Sequence, residues 1–305
     1  MQNDNQLQDL LARTNEIILG KEQVIKLALA CMLAKGHLLI EDLPGMGKTT
    51  LAHTLATLLG LQYQRIQFTS DLLPADVLGV SIYDRASEQF QFHPGPIFAQ
   101  LVLADEINRA TPKTQSALLE GMEERQITIE GKSRPLPSPF FVIATQNPLN
   151  QIGTFPLPES QLDRFLMRIE LGYPSPDHER LLLQGEGGRE LLEHARPVID
   201  NDALVNWQQQ AAAVHVAAPL LDYIQALLKA TRNSPELAQG LSPRAGQALI
   251  AAARAWAWLE NRPQVLPEDV QAVWSAVASH RFIDNSGGMA SRELAAAFLE
   301  QVAIP

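Results

Sequence analysis

The sequence predicts an α/β fold, a parallel sheet covered by helices on both faces, followed by a smaller all-helical domain. Three observations carry this expectation. Short apolar runs alternate with helical patterns through the first two-thirds of the chain. One of those runs opens into a glycine-containing loop and then a helix. After Tyr173-Pro174-Ser175-Pro176 the composition turns to Ala, Leu and Gln with helical periodicity throughout. Strands separated by helices pair in parallel and become buried on both faces, because each crossover lays a helix against the sheet.

In chain order, strands are expected at 38–40, 63–67, 101–104, 140–145 and 168–171, and helices near 21–35, 48–59, 97–100, 111–124 and 159–165. Two stretches read instead as β-hairpins beside the main sheet. One has arms at 81–83 and 89–93. The other has arms at 126–130 and 133–136 around Gly131-Lys132, where Gln126-Ile127-Thr128-Ile129-Glu130 alternates with period two. The helical part is expected near 177–186, 201–213, 218–232, 243–260, 267–281 and 290–302. Pro243 and Pro267 sit where a first helical turn tolerates proline, with Ser242 as an N-cap. The domains are therefore placed at 1–174 and 175–305. Cys31 reads as a core residue, and Trp256, Trp258 and Trp274 read as core or interface residues rather than a base-stacking platform.

The 305 residues are 46% apolar, enough for one large domain or two ordinary ones. A formal charge of -10 argues against non-specific duplex binding, which needs a basic face. The single cysteine excludes an internal disulfide. The seven histidines show no metal-ligand pairing, so no zinc site is expected. The polar N-terminus lacks a basic region followed by an apolar one, and no apolar stretch approaches the ~20 residues of a membrane span. The expectation is a soluble, cytoplasmic protein.

The most informative run is Leu38-Leu39-Ile40-Glu41-Asp42-Leu43-Pro44-Gly45-Met46-Gly47-Lys48-Thr49-Thr50. An apolar strand ends, a loop with two glycines follows, and a helix begins near Lys48. Amides lining such a loop point inward, and the helix N-terminus adds positive potential, so the loop suits phosphate. Pro44, Gly45, Met46, Gly47, Lys48, Thr49 and Thr50 form the expected cradle. Lys48 would reach the β- and γ-phosphates, and the Thr49 hydroxyl would bind Mg²⁺. Asp42 stands where the general pattern has glycine, so its carboxylate must turn away from the phosphates and cap local N–H groups.

A second apolar strand delivers Asp105-Glu106 at its carboxyl end, where ligands bind in open α/β sheets. Asp105 would hold Mg²⁺ through water, and Glu106 would act as general base toward the attacking water. Arg109, just beyond, either meets a neighbouring subunit's nucleotide or pairs with Glu106 or Asp105. A third strand ends in Thr145-Gln146-Asn147. The Asn147 amide would orient the water and sense the γ-phosphate, although Asn147-Pro148 also reads as a turn. Arg164 is a candidate arginine finger, acting from an adjacent subunit. Arg244 lies in a first helical turn, where the helix dipole disfavours a cation. It reads as a further phosphate sensor, acting in the same or a neighbouring subunit.

Taken together, EDLPGMGKT, GPIFAQLVLADEINRATPKTQSALLEGMEERQITI, ATQNP, LPESQLDRF and LSPRA, in that order, resemble the MoxR family of AAA+ ATPases over nearly the whole chain. Position 42 is commonly acidic in that family. The resemblance implies an AAA+ P-loop core with an α-helical lid, binding of ATP or ADP with Mg²⁺, and a homo-oligomeric ring, typically a hexamer. It implies that Arg164 acts as the trans finger and Arg244 as the lid sensor. Ile18-Leu19-Gly20 resembles the segment lining the adenine pocket. It further implies chaperone-like remodelling of protein clients with partners carrying von Willebrand factor A domains. Competing expectations are a nucleotide-gated binding scaffold with little turnover and a nucleic-acid motor.

Overall fold

The computed structural model describes residues 2–147, 154–185, 188–284 and 292–304. Two helices, α1 (Gln2–Ile17) and α2 (Glu22–Leu33), lead into β1 (Leu38–Glu41) and α3 (Lys48–Leu58). Next come β2 (Tyr63–Gln67), α4 (Pro74–Leu78), β3 (Gly79–Asp84), β4 (Gln89–Pro94) and β5 (Leu101–Asp105). They are followed by α5 (Pro112–Glu124), β6 (Gln126–Ile129), β7 (Lys132–Pro135), β8 (Phe141–Gln146), α6 (Glu159–Leu162) and β9 (Met167–Ile169).

Five strands form the expected parallel sheet in the order β2-β5-β8-β1-β9. Alternate residues sort cleanly between its faces. Leu38, Ile40, Leu101, Leu103, Phe141 and Ile143 join one core with α1, α2 and α3. Leu39, Val102, Ala104, Val142 and Ala144 join the other with α5. Both faces are dry, which is why β5 and β8 are buried at every position and read as unbroken apolar runs.

Both hairpins form. The first is longer than expected, pairing Gly79 with Pro94 through to Asp84 with Gln89. Its base needs glycine: a Cβ on Gly79 would lie 2.3 Å from the His93 carbonyl and 2.5 Å from the Gly95 nitrogen. The second turns one residue earlier than expected. Glu130 and Gly131 carry positive φ (54° and 75°) and Lys132 already pairs with Ile129. Two consecutive positive φ values make the tight turn whose twist matches its strands. The segment expected as a helix at 97–100 is a single 3₁₀ turn, Pro96–Phe98.

The helical part comprises α7 (Pro176–Leu183), α8 (Arg189–His194), α9 (Asn201–Ala213), α10 (Ala218–Arg232), α11 (Pro243–Leu259), α12 (Pro267–Ala278) and α13 (Arg292–Gln301). A two-stranded ribbon, β10 (Leu237–Gln239) with β11 (Ile283–Asp284), lies among them. Position 186 of the first expected helix and positions 290–291 of the last lie outside the described residues, as does Pro148. Ser242 caps α11 as expected, its hydroxyl accepting from Ala245 N–H at 3.1 Å. The core of this part, with Trp207, Trp274, Phe282 and Phe298, is continuous with the α1–α3 face of the sheet. Cys31 and Trp274 are fully buried, and Trp256 nearly so. No helix among the described residues is long and apolar enough to cross a membrane.

Helix α1, the short α4 and α8, and the β10–β11 ribbon were not expected. The signal for α1 is in the sequence: Leu7, Leu10, Leu11, Thr14 and Ile17 follow helical spacing, and all are buried.

Candidate active site

Strand β1 stops at Glu41, and α3 starts at Lys48 behind a loop in which Gly45 and Gly47 adopt φ of 84° and 88°. Only glycine holds such angles without strain. A Cβ built on Gly45 would meet no atom within 4 Å, so the loop mouth is open. Asp42 turns away from that mouth. Its Oδ1 accepts from Leu43 N–H (2.8 Å), and its Oδ2 accepts from Leu171 N–H (2.8 Å) and Gly172 N–H (2.7 Å). The outward turn and the local contact with Leu43 follow the expectation, whereas the contacts that fasten the loop to the segment following β9 were not expected. Lys21 Nζ holds the same segment from the other side, donating to the Gly172 and Tyr173 carbonyls.

Buried Lys48 donates to the Asp42 carbonyl (2.5 Å) and to Asn147 Oδ1 (3.4 Å). Burial lowers its pKa, and the surrounding carboxylates of Asp42, Asp105, Glu106 and Glu41 oppose that shift. Strand β8 runs between β1 and β5, so Asn147 at its end lies between Lys48 and the acids. Asn147 Nδ2 donates to Glu106 Oε1 at 3.0 Å, and Asn108 Nδ2 donates to the Asn147 carbonyl. Lys48, Asn147 and Glu106 are therefore brought together.

Glu106 adopts a left-handed backbone, φ 55° and ψ 48°. Such a conformation in a non-glycine residue costs about 1–3 kcal/mol and needs surrounding support. Thr145 supplies part of it: its Oγ1 accepts from Glu106 N–H at 2.9 Å and donates to Asp105 Oδ1 at 2.6 Å. The β5–β8 register, with Ala104 opposite Ala144, places Thr145 beside both acids. Glu106 Oε2 accepts from Gln67 Nε2 (3.0 Å) and from Arg109 Nη1 (2.9 Å). Of the alternatives for Arg109, the structure shows the pairing with Glu106. Asp105 Oδ2 accepts from Arg65 Nη2 (2.6 Å) and Nε (3.1 Å).

Sequence reasoning missed Arg65, Gln67 and Thr145. The available signals were a strand rich in polar residues beside unbroken apolar ones, Tyr63-Gln64-Arg65-Ile66-Gln67, and a threonine two residues before Asn147. Naming their partners needed the register between strands far apart in sequence.

The residues present fit a polyphosphate with a divalent cation. The loop is open where a phosphate would sit, Lys48 is at its edge, and Thr49 and Asp105 offer the hard oxygen donors that Mg²⁺ prefers. Beside the loop is a cleft of about 540 Å³ whose lining includes Ile18, Leu19, Met46, Thr50, Leu171 and Leu183. Pro44, Gly45 and Gly47 also border it. Its mixed lining suits an aromatic base above a phosphate tail. Gly20 does not line this cleft. It is a turn residue (φ 69°) packed so tightly against His178 that a Cβ would come within 2.5 Å of the ring.

Arg164 and Arg244 lie elsewhere. Arg164 Nε contacts Glu123 Oε2 at 3.1 Å, and Arg244 Nη1 contacts Glu123 Oε1 at 3.0 Å. Arg244 also approaches Asp163 (3.7 Å), which buried Arg281 holds at 2.7 Å. Glu123 is near the C-terminal end of α5, whereas Asp105 and Glu106 precede its N-terminal end. At 1.5 Å per residue, Pro112 to Glu123 spans about 16 Å. The structure joins the two arginines to each other and not to Lys48.

Residues 37–167 match the model of the ATPase family associated with various cellular activities (AAA), and residues 229–302 match the AAA lid domain. The chain is 45% identical over 269 residues to the uncharacterised protein YeaC of Bacillus subtilis, covering 88% of this chain and 84% of that protein. It is 42% identical to chaperone MoxR1 of Mycobacterium tuberculosis (91% and 75% covered) and 33% identical to protein MoxR of Paracoccus denitrificans (90% and 87%). The crystal structure of a candidate ATPase from Cytophaga hutchinsonii superposes with a TM-score of 0.91 at 35% identity, covering 100% of this chain and 96% of that one.

Proposed function

The chain belongs to the MoxR family of AAA+ ATPases, and from that premise we propose that it hydrolyses ATP at the loop 42–50 within a ring of identical subunits, most simply a hexamer, and uses the cycle to remodel protein clients in the cytoplasm. The domains of the proposal are a catalytic core over 1–174 and a lid over 175–305.

The observation that carries it is the placement of Glu106. Its strained backbone is held by Thr145, and Asn147 links its carboxylate to Lys48. Lys48 and the loop amides bind the β- and γ-phosphates and hold their charge. Asn147 keeps the base and the attacking water in one frame, and Glu106 takes the proton of that water. Thr49 and Asp105 would hold Mg²⁺, which would supply charge neutralisation to the phosphates. The cleft beside Ile18 and Leu19 takes the adenine. Arg164 and Arg244 serve the nucleotide of a neighbouring subunit, because they sit together at the far end of α5. Proteins carrying von Willebrand factor A domains are the proposed partners. The net charge of -10 speaks against a nucleic-acid motor.

A second reading, a nucleotide-gated scaffold that turns over slowly, is favoured by one observation: Glu106 is held by Gln67, Arg109 and Asn147 together. One experiment separates the two. On the hydrolytic reading, Glu106→Gln lowers phosphate release at saturating Mg·ATP by about 10²-fold or more, with ATP affinity measured by calorimetry little changed. Equal phosphate release by wild type and variant overturns it.

A further inference from the structure

Asp105 has no free carboxylate oxygen. Thr145 takes Oδ1, and the Arg65 guanidinium takes Oδ2 through both Nη2 and Nε. The geometry explains the second contact. Strand β2 is the edge of the sheet, and its register with β5 sets Arg65 opposite Leu103 and Gln67 opposite Asp105. Period-two alternation puts Arg65, Gln67 and Asp105 on one side of the two strands. The Arg65 side chain is 48% exposed, whereas that of Asp105 is 10% exposed. The guanidinium therefore covers Asp105 from the solvent side.

We propose that Arg65 is a positioning residue that competes with a divalent cation for the outer oxygen of Asp105. Orientation of Asp105 does not need Arg65, because the buried Thr145 hydroxyl already fixes the inner oxygen at 2.6 Å. A unit positive charge in direct contact with a ligand oxygen opposes a cation approaching the same oxygen. A cation at Oδ2 displaces the guanidinium, and the half-exposed side chain has open solvent to move into.

Arg65 Nη2 also donates to Gln67 Oε1 at 2.8 Å, a contact on the exposed side of the strand that leaves with the guanidinium when it moves. Glu106 keeps its own donors from Gln67, Arg109 and Asn147, so the competition acts at Asp105.

This inference rests on the proposed function only for the role given to Asp105; cation binding is tested without nucleotide. The full chain is titrated with Mn²⁺ alone and followed by electron paramagnetic resonance, as wild type, Arg65→Gln, Arg65→Gln/Asp105→Asn and Arg65→Lys. Competition predicts that Arg65→Gln binds Mn²⁺ about tenfold more tightly than wild type, the fold-change expected from removing one charge-assisted contact. Arg65→Lys, which keeps the charge without the fork, gains less, and the double variant loses the gain. If Arg65 merely supports Asp105, Arg65→Gln binds Mn²⁺ no better or more weakly, and that result overturns the proposal. A gain that survives Asp105→Asn also overturns it. Should one variant fail to fold by circular dichroism, Arg65→Lys and Arg65→Gln each decide the sign alone. Failure of the wild type to bind ATP would overturn the proposed function and leave the Mn²⁺ comparison standing.

Discussion

The two charge clusters at either end of α5 are built to different rules. At the N-terminal end, Asp105 and Glu106 each pair with one arginine, Arg65 and Arg109, and each carboxylate is also held by a polar side chain from a neighbouring strand: Thr145, Asn147, Gln67. At the C-terminal end, Arg164, Arg244 and Arg281 share only Glu123 and Asp163, and the first two arginines remain partly exposed. In the first cluster each acid has its own arginine and its own polar strand partner. In the second, among the described residues, three arginines meet two acids. The helix between them is about 16 Å long, and on the proposed function the second cluster of one copy meets the first cluster of another.

The sharpest way to break this comparison is at Arg164. If it completes a neighbour's site, Arg164→Ala lowers steady-state phosphate release by about 10³-fold, and mixing with Lys48→Ala subunits restores part of it. No recovery in confirmed mixed rings would leave the second cluster a purely structural one.

Next in size is Thr145, on which both acids depend. Thr145→Val leaves a buried Glu106 N–H and Asp105 oxygen unpartnered and should lower stability by about 3 kcal/mol, whereas Thr145→Ser should recover most of it; urea unfolding reads both. Equal stability of the valine variant would show that the strained Glu106 backbone is held by something else.

Next to the second cluster lies His37, whose Nδ1 accepts from Val142 N–H on β8 and whose Nε2 donates to the carbonyl of Met122, the neighbour of Glu123. Burial pushes its pKa down from the usual 6.5 to about 3. The unfolded chain therefore takes up a proton below pH 6.5 that the folded chain refuses. The stability it contributes is intact above pH 6.5 and is lost as pH falls toward 3, about 2 kcal/mol by pH 5. His37→Asn should flatten that part of the stability–pH curve, measured by denaturant melts between pH 7 and 4.5.

The smallest effect is expected at Glu123. Its pairs with Arg164 and Arg244 are partly exposed, so Glu123→Gln should change stability by about 1 kcal/mol or less. A larger loss would mean that the second cluster holds the helical part in place.

The division between what was legible in the sequence and what was not follows the same contrast. The five strands and the phosphate loop could be read because buried parallel strands are continuous apolar runs and a loop between strand and helix carries its own glycines. Lys48, Asp105 and Glu106 were legible because each stands at the end of such a run. Even the outward turn of Asp42 followed from its charge alone. Arg65 and Thr145 were not legible, since their meaning depends on which strand lies next to which, and β2-β5-β8-β1-β9 is not the order of the sequence. The Glu123–Arg164–Arg244 group was hidden for the same reason, joining segments 41 and 121 residues apart. Helix α1 was missed for a different reason: its polar opening residues masked a regular apolar stripe.

Asp42 carries a mechanical consequence. By gripping Leu171 and Gly172 it rivets the phosphate loop to the strip of chain from which α7 and all later helices hang. A loop with glycine at that place would have no side chain to make these bonds; here a shift of the loop either breaks both or draws the strip along with it.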